Sequence, residues 1–243
     1  MKEIKLANKK LNYEIIRSDR KTLGIIVDHE KNIIVRSPEK TKNKEIEEIL
    51  KNKTNWILDK LKEMDEIKPP PKEKEFMTGE KLPYLGRRYR MEVNPEEEVI
   101  KVEVKLYQGK FIINYPIGLK GDENKRRNEI REAVIEWYRE HAKIKINERV
   151  EKYKVKLDVE PNNVVVKKQK KRWGSCSNKG NLNFNWKIIM APMSIVDYLV
   201  VHELTHLIYD NHSKDFWNTV ESIIPKIKDK KEWLRVNGKR LDV

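Results

Sequence analysis

The stretch His202-Glu203-Leu204-Thr205-His206 has residue types and a spacing suited to metal chemistry. Imidazoles at i and i+4 lie one turn apart on the same helix face, so their nitrogens can converge on one ion. Glu203 is rotated about 100° from His202 around the helix, which puts its carboxylate beside the ion rather than on it. H-E-x-x-H on a helix is the pattern in which zinc lowers the pKa of a water and a glutamate takes its proton. The chain has five histidines, His29, His141, His202, His206 and His212, and the last three fall within eleven residues. The segment 195–201 just before the motif is apolar on nearly all sides, which predicts a buried helix. Two imidazoles and a carboxylate inside such a helix need partners, and a metal ion supplies them.

A catalytic zinc has three protein ligands and keeps one position open. His212 and Glu221 are the two candidates for the third ligand. His212 is favoured, because the chain turns back toward the metal just beyond the motif helix. The interval from His206 to His212 matches H-E-x-x-H-x-x-G-x-x-H. The glycine position is Tyr209 here, so the chain is not assigned to that class. His141 has no partner at i±4 and reads as a packed core histidine. His29 reads as a solvent-facing turn residue.

At 243 residues the chain can bury a sizeable core, in one large or two small domains. Hydrophobic and charged residues each make up 38%, and apolar periodicity runs throughout, so the chain reads as folded with a heavily charged surface. One cysteine, Cys176, excludes an intrachain disulfide and fits a reducing, cytoplasmic setting. The first residues lack an apolar stretch of signal-peptide length. No run approaches the roughly 18 apolar residues of a spanning helix, so no membrane partner is expected. The net charge of +14 suits an anionic partner such as nucleic acid. Lysine outnumbers arginine 39 to 14, however, and that is equally the mark of a compositional bias.

The elements that must position the motif read as follows. Strands are expected over 11–16, 23–27 and 32–35, then one helix over 43–64. Pro69-Pro70-Pro71 marks a linker. Residues 76–115 alternate like strands, with a hairpin turning at Gln108-Gly109. A long helix is expected over 123–153, with Ile130, Ala133, Val134, Trp137, His141, Ile144 and Val150 on its apolar stripe. Val164–Val166 reads as a strand and 172–177 as a turn or loop. Residues 181–189 read as a strand that turns Leu182, Phe184 and Trp186 inward and Asn181, Asn183 and Asn185 outward. The motif helix opens at Pro192 or Ser194, with Ser194 and Asp197 as a capping-box-like pair, and ends at Asp210-Asn211. Ser213 caps a helix over 214–224, and Trp233 anchors a basic tail. From Pro161 to Val196 there is no acidic residue, whereas Lys167, Lys168, Lys170, Lys171, Arg172, Lys179 and Lys187 are basic. No internal repeat is visible. These elements divide the chain into a β-rich region with a helix (1–68), a β-hairpin region (76–121) and a domain carrying the motif (122–243).

Arg172-Trp173-Gly174-Ser175-Cys176, Asn181-Leu182-Asn183-Phe184-Asn185-Trp186, the His202–His206 motif with Asn211-His212-Ser213, and Phe216-Trp217 together resemble the YgjP-like metallopeptidase family, related to SprT-like and WLM-type metalloproteases. The resemblance implies an α+β, zincin-like metallopeptidase domain with the active-site H-E-x-x-H helix, preceded by a β-rich N-terminal region. It implies His202, His206 and His212 as zinc ligands, Glu203 as general base, and the 181–186 strand beside the active-site helix.

The function expected is a zinc metallopeptidase hydrolysing protein or peptide substrates. The alternative is a nucleic-acid-associated protein, in the combined form a DNA-recruited protease, whose zinc is mainly structural and closed by a fourth protein ligand. The 181–186 strand is expected at a sheet edge, where an extended peptide could add to it. The 172–176 stretch has two readings. Arg172 and the Ser175 hydroxyl could contact substrate, or Arg172 could pair with an acid while Trp173 fills the core and Gly174 supplies a turn. The second is favoured, with Cys176 as a small buried residue.

Overall fold

The computed structural model describes residues 2–28, 31–169 and 172–243. His29, Lys170 and Lys171 lie outside the described residues. The chain forms two compact units, residues 1–68 and 69–243.

The first unit is a four-stranded sheet with two helices. Strands β1 (Lys2–Leu6), β2 (Lys9–Ser18), β3 (Gly24–Val27) and β4 (Ile33–Pro38) lie in the order β1-β2-β4-β3, with β2 and β4 parallel. Ile4, Leu6, Tyr13, Ile33 and Val35 turn inward and meet Ile46, Leu50 and Ile57. The helix expected over 43–64 is two helices, α1 (Asn43–Asn52) and α2 (Thr54–Glu66). Lys53 breaks them, with its N–H shared between the carbonyls of Ile49 and Leu50. The Thr54 hydroxyl donates to the Lys51 carbonyl at 2.6 Å, a local bond that competes with a continuous helix.

The second unit opens with β5 (Lys81–Tyr84), β6 (Arg87–Glu96), β7 (Glu103–Tyr107) and β8 (Lys110–Pro116). Their order is β5-β6-β8-β7, with β6 and β8 parallel, the same arrangement as in the first unit. The two sheets therefore repeat a topology that the sequence does not display. Leu85-Gly86 and Gln108-Gly109 make tight hairpin turns, with positive φ at both central residues.

Helix α3 (Glu123–Leu157) starts at Asp122, whose carboxylate accepts from the Lys125 N–H at 3.0 Å, and ends at left-handed Asp158. Its buried stripe includes Ile130, Val134, Tyr138, Ala142, Ile146, Val150 and Leu157. Ile144 sits two positions, about 200°, away from that stripe and is 53% exposed, so it is not a core residue. His141 is half-buried. It stacks on Trp137 with ring centroids 3.7 Å apart, and its Nδ1 lies 2.8 Å from the Trp137 carbonyl.

A three-stranded sheet follows: β9 (Asn163–Lys167), β10 (Gly174–Cys176) and β11 (Asn181–Asn185), in the order β10-β11-β9. This corrects two expectations. The 172–177 stretch contains a strand, and β11 is interior, paired antiparallel to β10 and parallel to β9. β11 stops at buried Asn185, whose side chain donates to the Gln169 carbonyl and accepts from the Lys187 N–H. The chain continues from Trp186 to Met190 as a 3-10 helix. Leu182, Phe184 and Trp186 are buried as expected, but so is Asn185.

Helix α4 (Met193–Thr205) carries the motif. Its N-cap is Pro192, not Ser194, and Asp197 serves a different purpose from capping. The Asp197 carboxylate takes two hydrogen bonds from Arg149 of α3, one from Nη2 at 3.0 Å and one from Nε. The paired side chains are only 19% and 15% exposed, so water screens them weakly. Gly86 presses on Pro192. A Cβ there would lie 2.8 Å from Pro192 Cα, and φ is already +79°. Helices α5 (Lys214–Ile223), capped by Ser213, and α6 (Ile227–Asn237) complete the unit. No helix among the described residues is long and apolar enough to cross a membrane.

Asp197→Ala leaves a largely buried guanidinium without its carboxylate. The expected loss is about 1.5–3 kcal/mol, the worth of hydrogen bonds to a charged group, read by urea denaturation. An unchanged midpoint would show that this pair does not hold α3 to α4.

Candidate metal centre

α4 ends at Thr205, earlier than the expected Asp210-Asn211, and His206 is its C-cap in right-handed helical geometry. The i, i+4 relation of His202 and His206 therefore survives at the helix end. The chain tightens there, with Leu207 N–H donating to the Leu204 carbonyl and Ile208 N–H to that of Thr205. It then returns through His212 to the Ser213 cap of α5, whose hydroxyl accepts from the Phe216 N–H at 3.3 Å.

Ligand atoms of His202, His206 and His212 all lie within 4.8 Å of one another. The Nε2 atoms of His202 and His212 are 3.1 Å apart. Two imidazole lone pairs at that distance repel unless something positive sits between them, so the donor set fits a cation. His206 Nδ1 lies 3.1 Å from the Tyr209 carbonyl, and a proton on Nδ1 leaves Nε2 as the donor. His202 Nδ1 is buried without a hydrogen-bond partner among the described residues. Aromatic rings hold the group in place: Phe216 lies under all three imidazoles, and Trp217 stacks on His212 at 17°. Lys231 of α6 places its ammonium 3.9 Å from the centre of the Trp217 ring. Glu221 is exposed and outside this cluster, and so is His141.

Glu203 is 4% exposed and lies against β10. The Cys176 N–H donates to its carboxylate. A Cβ on Gly174 would lie 2.5 Å from Glu203 Oε1. Gly174 is therefore glycine to admit the carboxylate, rather than to make a turn. Sequence reasoning missed this role, because nothing near Gly174 in the chain announces that α4 will arrive there. Trp173 packs on Gly238, where a Cβ would lie 3.1 Å from its ring. Cys176 is half-buried and free. A cavity of about 520 Å³ opens beside His206, lined also by Cys176, Ser177, Asn178 and Asp210. A larger one, about 790 Å³, lies between residues 101–105 and α3 and has no histidine or cysteine in its lining, so it is not the chemical site.

A helix end that gathers three imidazoles and a buried carboxylate, on an α+β scaffold, defines a metallopeptidase type of site. The chain belongs to the YgjP-like family, whose metallopeptidase domain matches residues 21–237. It is a metallopeptidase. Two solved structures are similar over 39% of this chain. The metallopeptidase zymogen of Pyrococcus abyssi abylysin is 23% identical, with 93% of that chain covered and a TM-score of 0.35. The metallopeptidase zymogen of Methanocaldococcus jannaschii jannalysin is 24% identical, with 95% covered and a TM-score of 0.34. No curated protein matches the chain.

Without a bound cation, burial raises the Glu203 carboxyl to about 8, against the opposing pull of Arg172 and the Cys176 N–H. Burial, helped by His206, His212 and Lys231, lowers His202 to about 3. A raised carboxyl stabilises the fold through its protonated form. That contribution is complete below the ordinary value of 4.5 and is lost as pH rises through about 8. Metal-free Glu203→Gln, which stays neutral, should therefore gain stability relative to the parent as pH is raised from about 5 to about 9. His202 is common to both proteins and cancels in the difference. Urea denaturation across that range provides the measurement, and a constant gap would show that the carboxyl titrates normally.

Proposed function

We propose that this metallopeptidase is a zincin-like zinc enzyme in which His202, His206 and His212 hold the ion and Glu203 is the general base. The observation carrying this reading is the convergence of the three imidazoles beside a buried carboxylate that is not among the converging donors. A bound zinc would supply Lewis acidity for the peptide carbonyl and acidify the attacking water. Glu203 takes the proton from that water and returns it to the leaving nitrogen. The Cys176 N–H orients its carboxylate. Arg172 and that N–H offset burial, which keeps the base near the neutral range where general bases work best.

The 122–243 segment carries this chemistry in our reading, with 76–121 and 1–68 as supporting regions. Protein or peptide substrate adds in extended form to β10 rather than to β11. β10 is a sheet edge, and its Gly174 and Cys176 face Glu203. The lone cysteine supports a reducing, cytoplasmic setting. A mainly structural zinc would call for a fourth protein ligand, and among the described residues the donor cluster has three members. Nucleic-acid contact through the basic stretch would involve Lys167 and Lys168, which are exposed.

Glu203→Gln should keep about one zinc per chain and lose about 10²–10⁴-fold or more in peptide cleavage. Both are measured on the same preparation. Full zinc with undiminished cleavage would place the base elsewhere, and lost zinc would make Glu203 a ligand. His212→Ala should shed the metal, whereas Glu221→Ala should retain it. The reverse pattern in metal analysis would overturn the ligand assignment.

A further inference from the structure

A second cavity, about 230 Å³, is ringed by five cations: Lys74, Lys81, Arg87, Arg88 and Arg240. They come from three separate stretches of the chain. Lys74 precedes β5, Lys81 and the two arginines flank the β5–β6 turn, and Arg240 ends the 3-10 turn after α6. None of their charged groups makes a hydrogen bond or ion pair with another described residue. Elsewhere the same side-chain types find carboxylates, as Arg127 does with Glu75. The one carboxylate lining the cavity, Asp242, is taken by Lys187 at 2.6 Å. Burial and the nearby Arg88 both depress the Lys74 ammonium, and only Glu80 opposes them. The wall is apolar and includes Trp233 and Met190.

Five like charges left unneutralised around one concavity raise the local potential, which an anion would relieve. Three are arginines, in a chain where lysine predominates, and the guanidinium fork matches phosphate oxygens bidentately. The volume falls below the usual range of about 300–1,000 Å³ for drug-sized ligands. It suits small, dense anionic groups rather than a whole organic molecule. The Trp233 ring offers a face beside them on which a base can stack.

We propose that this cavity binds adjacent phosphate groups, carried by a nucleotide or by a single-stranded nucleic acid. The proposal does not depend on the zinc assignment, because no imidazole of the triad lines the cavity. A ligand there would touch Met190, just ahead of α4, and Trp233 on α6, the helix that also carries Lys231.

The test is calorimetric titration of the full-length, zinc-loaded protein at low salt with inorganic triphosphate, ATP, a short single-stranded oligonucleotide and hexaglutamate. At least one phosphate ligand should bind. Arg87→Ala/Arg88→Ala should weaken that binding at least about tenfold, as expected for loss of charge-assisted hydrogen bonds. For the oligonucleotide it should also lower the salt slope by about two. Lys2→Ala/Lys5→Ala removes the same net charge from β1 and should change nothing. Arg240→Ala gives an independent reading should the double variant fold poorly. Binding of triphosphate and ATP without the oligonucleotide identifies a nucleotide site, and binding of the oligonucleotide identifies a strand. Three results would each overturn the proposal: no phosphate ligand binds, hexaglutamate binds as tightly, or the β1 variant loses as much as the arginine variants.

Discussion

The Glu203 carboxylate occupies the space that a side chain on residue 174 would need. This contact sets how closely α4 can approach the three-stranded sheet, and the rest of the site depends on it. A carboxylate taken from water costs several kcal/mol unless its charge is met. The Cys176 N–H and the field of Arg172 meet part of that cost. Both come from the same short edge of the sheet. For β10 to offer that edge, β11 must lie on its other side, and β11 is accordingly the middle strand.

The polar end of α4 is supported from its apolar beginning. Gly86 lets the β5–β6 turn press directly on Pro192, while the Leu85 and Gly86 N–H groups donate to the Ile189 and Met190 carbonyls. One turn further on, Asp197 is clamped by Arg149, and so α4 is tied to the longest helix of the unit. These contacts fix the helix before it reaches His202. The three imidazoles then need only a short loop and a capped helix to complete them, and Phe216 and Trp217 pack the loop residue His212 into line. Rigid support of this kind is what a constellation held to fractions of an ångström requires.

The charge of the molecule has two different textures. Most surface cations sit near carboxylates in exposed pairs, which contribute little to stability. The group around Arg87, Arg88 and Arg240 lacks such partners among the described residues. A net charge of +14 is thus not spread evenly, and its concentration in a concavity separates a binding feature from a compositional one.

Much was legible from the chain alone because its causes are local. The i, i+4 histidines, the apolar run before them, the Ser213 cap, the Gln108-Gly109 turn and most of the α3 stripe each depend on neighbours within a turn or two. The family resemblance rested on such local clusters as well. Other features were decided by residues distant in sequence. β10 is three residues long, too short to show a period, and is a strand only because β11 pairs with it. β11 looked like an edge strand because alternation records which face is buried but not how many neighbours the strand has. The repeated sheet topology left no trace, since the order of strands is a matter of pairing rather than composition. Ser194 and Asp197 had the right spacing for a cap, yet the Arg149 side chain outcompeted the backbone for Asp197. The sequence therefore determined which side chains could do the chemistry. Tertiary packing decided which backbone lies against them, because a close approach such as Gly174 to Glu203 exists only once two remote segments have met.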